Sequence, residues 1–111
     1  MLELSERSEQ GWSVVAVKGR LDSVTVSHFT ERCAAWTQEG KSRIVLDLSL
    51  LSYVSSAGLS SILGAAKGAS GSGGRLVIAG LAGLVKEVFS ISGFDTILAT
   101  FPDVETAIRA S

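Results

Sequence analysis

The chain has one cysteine, one histidine and one proline in 111 residues, and its charges nearly cancel. Each scarcity excludes something. A lone cysteine, Cys33, leaves no internal disulfide framework and fits a reducing cytosol. One histidine and one cysteine cannot supply a zinc-type ligand cluster, so no metal and no other cofactor is expected. Ten Lys and Arg against eleven Asp and Glu give a formal net charge of -1. That balance makes no electrostatic case for nucleic acid or an anionic membrane as partner. No apolar run approaches the ~20 residues of a membrane-spanning helix, so no membrane insertion is expected. The opening, MLELSERSEQ, lacks the basic-then-apolar order of a signal peptide. What remains is 46% apolar and 19% charged, the composition of a packed domain. The expectation is one cytoplasmic domain over residues 1–111.

Periodicity places the elements in order. Leu2 and Leu4 alternate with Glu3 and Ser5 as a short strand. After Gly11, the run Trp12–Lys18 is rich in β-formers and pairs with the first strand as an antiparallel hairpin. Gly19-Arg20-Leu21-Asp22-Ser23 forms a turn, with Asp22 or Ser23 capping a helix whose apolar stripe is Val26, Phe29, Cys33 and Trp36. Gly40 ends that helix as its C′ residue. Ile44–Leu48 is a nearly all-apolar strand, as a strand covered on both faces should be. A serine-dense bend follows, then a helix with Leu59, Ile62, Leu63 and Ala66 on its inner face. The run GASGSGG, Gly68–Gly74, is expected to be a flexible connector. Leu76–Ala79 is a strand, Leu81–Ser92 a helix ended by Gly93, and Thr96–Ala99 a last short strand. Asp103 caps a final helix through Ala110. This alternation predicts an α/β fold of four to five mostly parallel strands with an N-terminal hairpin and four helices. Sites in such sheets lie beyond the carboxyl ends of the strands, so Asp22 and Ser56 should share one pole.

Catalytic groups are scarce. His28, the only histidine, falls on the outer side of the first helix, where a solvated side chain is the simplest account. Cys33 lies on an apolar stripe and behaves as a small core group. The glycines of GASGSGG lack the lysine and spacing of a P-loop. Trp12 and Trp36 have no interleaved basic residues to suggest base stacking.

The central stretch Leu46–Lys67, LDLSLLSYVSSAGLSSILGAAK, is different. A strand feeds a helix through small residues, which places helix N-terminal N–H groups and the positive end of the dipole in the open. With Leu59 facing the core, Ala57, Ser61, Gly64 and Gly68 point away, flanked by Ser60 and Ala65. An exposed helix face normally carries Lys, Glu or Gln; this one is small and uncharged. Either a partner docks there or a neighbouring element of the same chain covers it. Ser56 has two roles open to it. It, or Ser55, caps the helix, or its hydroxyl is placed for phosphorylation, which adds about -1.5 to -2 charge. From the residues alone, capping is the simpler account.

LDLSLLSYVSSAGLSSILGAAK resembles the signature of the anti-sigma factor antagonist family, the STAS domain. That family shows an aliphatic strand, a D-L-S-x-x-x-Y/F-x bend, then D-S-S/T/A-G-L opening a helix. GRLD at Gly19–Asp22 is similar to the family's G-E-L-D turn, and VFSISGFDTILATFPDVETAI to its closing segment. The resemblance implies a non-enzymatic partner switch. The unmodified domain binds an anti-sigma factor that is also a serine kinase, a histidine-kinase-like ATPase, and so frees a sigma factor. Phosphorylation abolishes binding, and a metal-dependent serine phosphatase restores it. Carried over by position, the acceptor is Ser56, with Ser55 as a competitor, and Gly58 and Leu59 continue the motif. Docking falls to Asp22, Ser55, Ser56, Ala57, Gly58, Ser60, Ser61 and Gly64. Two departures stand out: Ser55 replaces the family's usual acidic residue, and Ala57 follows the acceptor. Two alternatives accompany this expectation. One is a constitutive STAS subunit of a transporter or sensory complex; the other is a small-ligand or nucleotide-binding domain using the helix N-terminus.

Overall fold

Alternation of apolar residues on both faces of the strands dictates a layered molecule. The computed structural model describes residues 1–110, and the chain runs β1 (Leu2–Glu9), β2 (Trp12–Leu21), α1 (Val26–Gln38), β3 (Arg43–Asp47), β4 (Leu51–Val54), α2 (Ser56–Gly71), β5 (Arg75–Ala79), α3 (Gly83–Ile91), α4 (Phe94–Ile97), β6 (Thr100–Phe101) and α5 (Val104–Ala110). The sheet order is β1-β2-β3-β5-β6, with β4 also against β2. The β1–β2 hairpin is antiparallel; the other pairings are parallel.

Period-two alternation divides the core. Val15, Val17, Ile44, Leu46, Leu76 and Ile78 face α1, α2 and α3, which add Phe29, Trp36, Leu59, Ile62, Val85 and Phe89. The intervening Trp12, Val14, Val45, Val77 and Ala79 face α5, through Ala107 and Ile108. Burying each large side chain contributes roughly 1.5–3 kcal/mol. Phe29 and Trp36 meet edge to face, with centroids 6.1 Å apart.

Three expectations change. The serine-dense bend contains a strand, β4, which pairs with β2 at Gly19, Arg20 and Leu21 across an irregular register. It takes the place beside β2 that β3 occupies further back, against Ser13–Ala16. Asp47 sets this side-step, its carboxylate accepting from the Ser49 N–H at 3.0 Å, while Leu51 N–H donates to Leu48 C=O. Gly68–Gly74 is not simply a connector, because α2 continues to Gly71 before the turn at Gly73 (φ +82°). Thr96–Ala99 is not a strand; α4 takes Thr96 and Ile97, and pairing begins three residues after its end, at Thr100. The described residues therefore carry six strands and five helices rather than four to five and four. The end cap at Asp103 stands as expected, its carboxylate accepting from Thr106 N–H at 2.8 Å.

Candidate functional site

The side-step into β4 carries the chain toward the end of β2. There the Ser55 N–H donates to Leu21 C=O at 3.0 Å. A Cβ on Gly58 would lie 2.7 Å from that same carbonyl oxygen and 2.9 Å from Val54 Cγ2. Glycine at 58 is thus what lets the first turn of α2 sit directly on the end of β2. Asp22, the next residue of β2's exit, and Ser56 accordingly share one pole.

The two serines divide the work between them. Ser55 has extended backbone (φ -93°, ψ 175°), and its Oγ accepts from Gly58 N–H at 3.2 Å. It is the N-cap of α2. Ser56, the first helical residue, is exposed, and its hydroxyl makes no hydrogen bond among the described residues. At that position its own N–H and that of Ala57 have no intrahelical acceptor and point toward the helix mouth.

Asp22 does not cap α1. The helix begins at Val26, with Thr25 as N-cap and no side-chain cap bond. Asp22 instead locks the bend before it, its Oδ1 accepting from Val24 N–H at 3.0 Å and Thr25 N–H at 3.1 Å. Thr25 Oγ1 closes the loop by donating to Arg20 C=O and accepting from Asp22 N–H. These bonds, led by that from Thr25 N–H, hold the Asp22 carboxyl below its usual range. Arg20 lies 3.5 Å from Asp22 Oδ2, and its guanidinium sits 4.3 Å over the Tyr53 ring. Bend, β4 and helix mouth are thereby joined into one surface. Sequence reasoning missed that Arg20 joins Asp22 to Tyr53, and that Val24 and Leu50 stand 83% and 60% exposed. The signal was the unusual placement of apolar residues in polar turns.

The outer face of α2 is bare in part only. Ser60, Gly64 and Gly68 are exposed, but Ala57, Ser61 and Ala65 are half-buried. α1 packs alongside, leaving a groove of about 290 Å³ that Ser61, Gly64, Ala65 and Gly68 line from one side, and Thr30, Cys33 and Thr37 from the other. Ser61 Oγ is turned inward and donates to Gly58 C=O at 2.7 Å. His28 is exposed on α1. Cys33 is half-buried, and burial pushes its thiol up to about 12, so it is not a thiolate at neutral pH. Among the described residues no helix is long and apolar enough to cross a membrane.

Comparison with known proteins agrees with this geometry. A family model described as "Mlab, STAS domain" matches residues 4–100. The protein named as the anti-sigma factor antagonist BtrV of Bordetella bronchiseptica is 35% identical over 109 residues, covering 98% of this chain and 94% of that one. An anti-sigma factor antagonist from Mycobacterium paratuberculosis superposes with a TM-score of 0.89 at 21% identity, covering 99% and 93% of the two chains. The Bacillus cell fate determinant SpoIIAA, solved in its phosphorylated form, superposes with a TM-score of 0.73 at 20% identity over the whole of both. The chain belongs to the STAS-domain family of anti-sigma factor antagonists.

Proposed function

We propose that this protein is a non-enzymatic partner switch whose state is written on Ser56. Unphosphorylated, it binds an anti-sigma factor that is also a serine kinase of the histidine-kinase-like ATPase type, and a sigma factor is released. The kinase then moves the γ-phosphoryl group of ATP to Ser56 Oγ, with ADP leaving and the hydroxyl proton passing to a base of the kinase. A metal-dependent phosphatase hydrolyses the ester and resets the switch. The observation that carries this reading is the division between adjacent serines: Ser55 is spent on the cap, and Ser56 is exposed and unbonded. SpoIIAA, which has this fold, exists in a phosphorylated form.

The docking surface in this reading is the bend at Asp22 together with Ser55, Ser56, Ala57, Gly58, Ser60, Ser61 and Gly64. A phosphate on Ser56 adds about -1.5 to -2 charge, which the helix N-terminus accommodates within the chain. The same charge, set among the uncharged α2 residues of that surface and near the Asp22 carboxylate, would have to be desolvated against the partner.

The test is phosphoryl transfer from the cognate kinase, followed by mass spectrometry and binding. Ser56→Ala should take up no phosphate and keep the complex. Ser56→Asp should weaken the complex at least about tenfold. Equal binding by the two variants would sink the switch. The replacement of the usual acidic residue by Ser55 favours a second reading, a constitutive STAS subunit of a transporter or sensory complex. Unmodified Ser56 in a stable complex, after incubation with kinase and ATP, would select it. Saturable nucleotide binding at the α2 N-terminus without any protein partner would instead select a ligand-binding domain.

A further inference from the structure

We propose that the amino pole of the sheet, opposite Ser56, holds a binding site for the phosphate group of a small solute, built on Arg43 and Arg75. Of the six arginines, Arg7, Arg20, Arg32 and Arg109 each lie within 4.0 Å of a carboxylate oxygen. Arg43 and Arg75 have no carboxylate partner among the described residues. They open β3 and β5 and are direct partners in the parallel register, so both project from the same face of the sheet. Adjacent strands lie about 4.8 Å apart, and like charges at directly opposed positions disfavour pairing. The arrangement asks for an anion between them.

The surroundings are shaped for one. The Arg43 guanidinium is laid over the Trp12 ring, 4.7 Å from its centroid. Trp12, both arginines, Gly73 and Gly74 line a shallow recess of about 210 Å³. A Cβ on Gly74 would lie 2.1 Å from Ser42 C=O, and one on Gly73 would meet nothing within 4 Å, so the chain approaches here closely and leaves the recess open. The nearest carboxylate in the same row, Glu9 opposite Trp12 on β1, is engaged by Arg7. Two guanidinium forks present more parallel donors than one carboxylate can accept. A tetrahedral dianion bridges both and cancels both charges.

This inference does not rest on the Ser56 reading, and Ser56→Ala protein should bind as the parent does. The probe is inorganic phosphate, titrated against chloride at constant ionic strength and followed by NMR. The expected result is saturable shifts at the Arg43 and Arg75 Nε–H, the Trp12 indole and the Gly73 and Gly74 amides, with the Ser55–Gly58 amides unmoved. Arg75→Gln should weaken binding on the order of tenfold or more, while Lys86→Gln, which removes a charge elsewhere that has no carboxylate partner among the described residues, should leave it unchanged. Shifts that stay linear, or that survive in the Arg43→Gln/Arg75→Gln double variant, would overturn the site. Both variants fold if the repulsion argument holds, because removing one guanidinium relieves it; phosphate should then raise the melting temperature of the parent and not of the double variant.

Discussion

At the scale of single residues, the neighbours Ser55, Ser56 and Gly58 do separate things, and substitution should separate them. Ser55→Ala removes the acceptor for Gly58 N–H and should cost about 1 kcal/mol in urea unfolding. Ser56→Ala removes an exposed, unbonded hydroxyl and should leave stability within about 0.5 kcal/mol. A result the other way round would reverse the assignment of the cap and the unbonded hydroxyl. Gly58→Ala is a different case. Its methyl would meet Leu21 O at 2.7 Å and Val54 Cγ2 at 2.9 Å, and the carbonyl is itself held by Ser55 N–H, so neither side yields easily. A loss of about 1–3 kcal/mol is expected from this overpacking, readable as a lower urea midpoint. Cys33 offers a check on the groove: with its thiol raised to about 12, it should react with a thiol reagent at pH 8 much more slowly in folded protein than in urea.

At the scale of elements, α2 gives up helix propensity along its exposed face. Gly64 and Gly68 are exposed mid-helix, and a Cβ at either would meet nothing within 4 Å. Gly64→Ala and Gly68→Ala should each stabilise the fold by up to about 1 kcal/mol, measured as a raised urea midpoint. If the α2 face docks a partner, Gly64→Ala should weaken that complex while it stabilises the domain. Unchanged binding would move the docking surface off this part of α2. The same element shows what its letters could not tell. GASGSGG has the composition of a connector, yet α2 runs to Gly71, because Ala69 is buried in the larger core and the turn is closed by Gly74 N–H on Ala69 C=O. Likewise LSYV is too short to announce a strand by periodicity. It pairs because β2 extends past the end of β3 and offers an unoccupied ladder at Gly19–Leu21.

At the scale of the whole molecule, an ion network ties the edge strand to the helical layer. Glu6 on β1 meets Arg32 on α1 in a paired contact, and Lys41 lies 3.7 Å from Glu6 and 3.1 Å from Glu39. The hydrogen bond from Arg32 is the main cause that holds the Glu6 carboxyl below its usual value, and burial opposes it. A carboxyl lowered by folding contributes stability that is full above its unfolded value and is lost as pH falls through the folded one. Urea midpoints should therefore fall as pH drops below about 4.5. In Glu6→Gln the midpoint at pH 7 should be lower and the acid limb flatter. An acid limb identical to the parent's would show that the network contributes nothing to folding.

The sequence by itself determined the layered α/β plan, the antiparallel hairpin, the buried faces of β3 and β5 and the helix that carries the candidate site, because these are written in local periodicity and in residues with strong conformational preferences. Only the tertiary structure decided which serine caps and which is left open, where β4 lies, what Asp22 holds and that Arg43 and Arg75 stand side by side. Those outcomes depend on contacts between segments distant in the chain, such as Leu21 with Ser55 and β3 with β5, and no local pattern encodes which partner a strand end will meet.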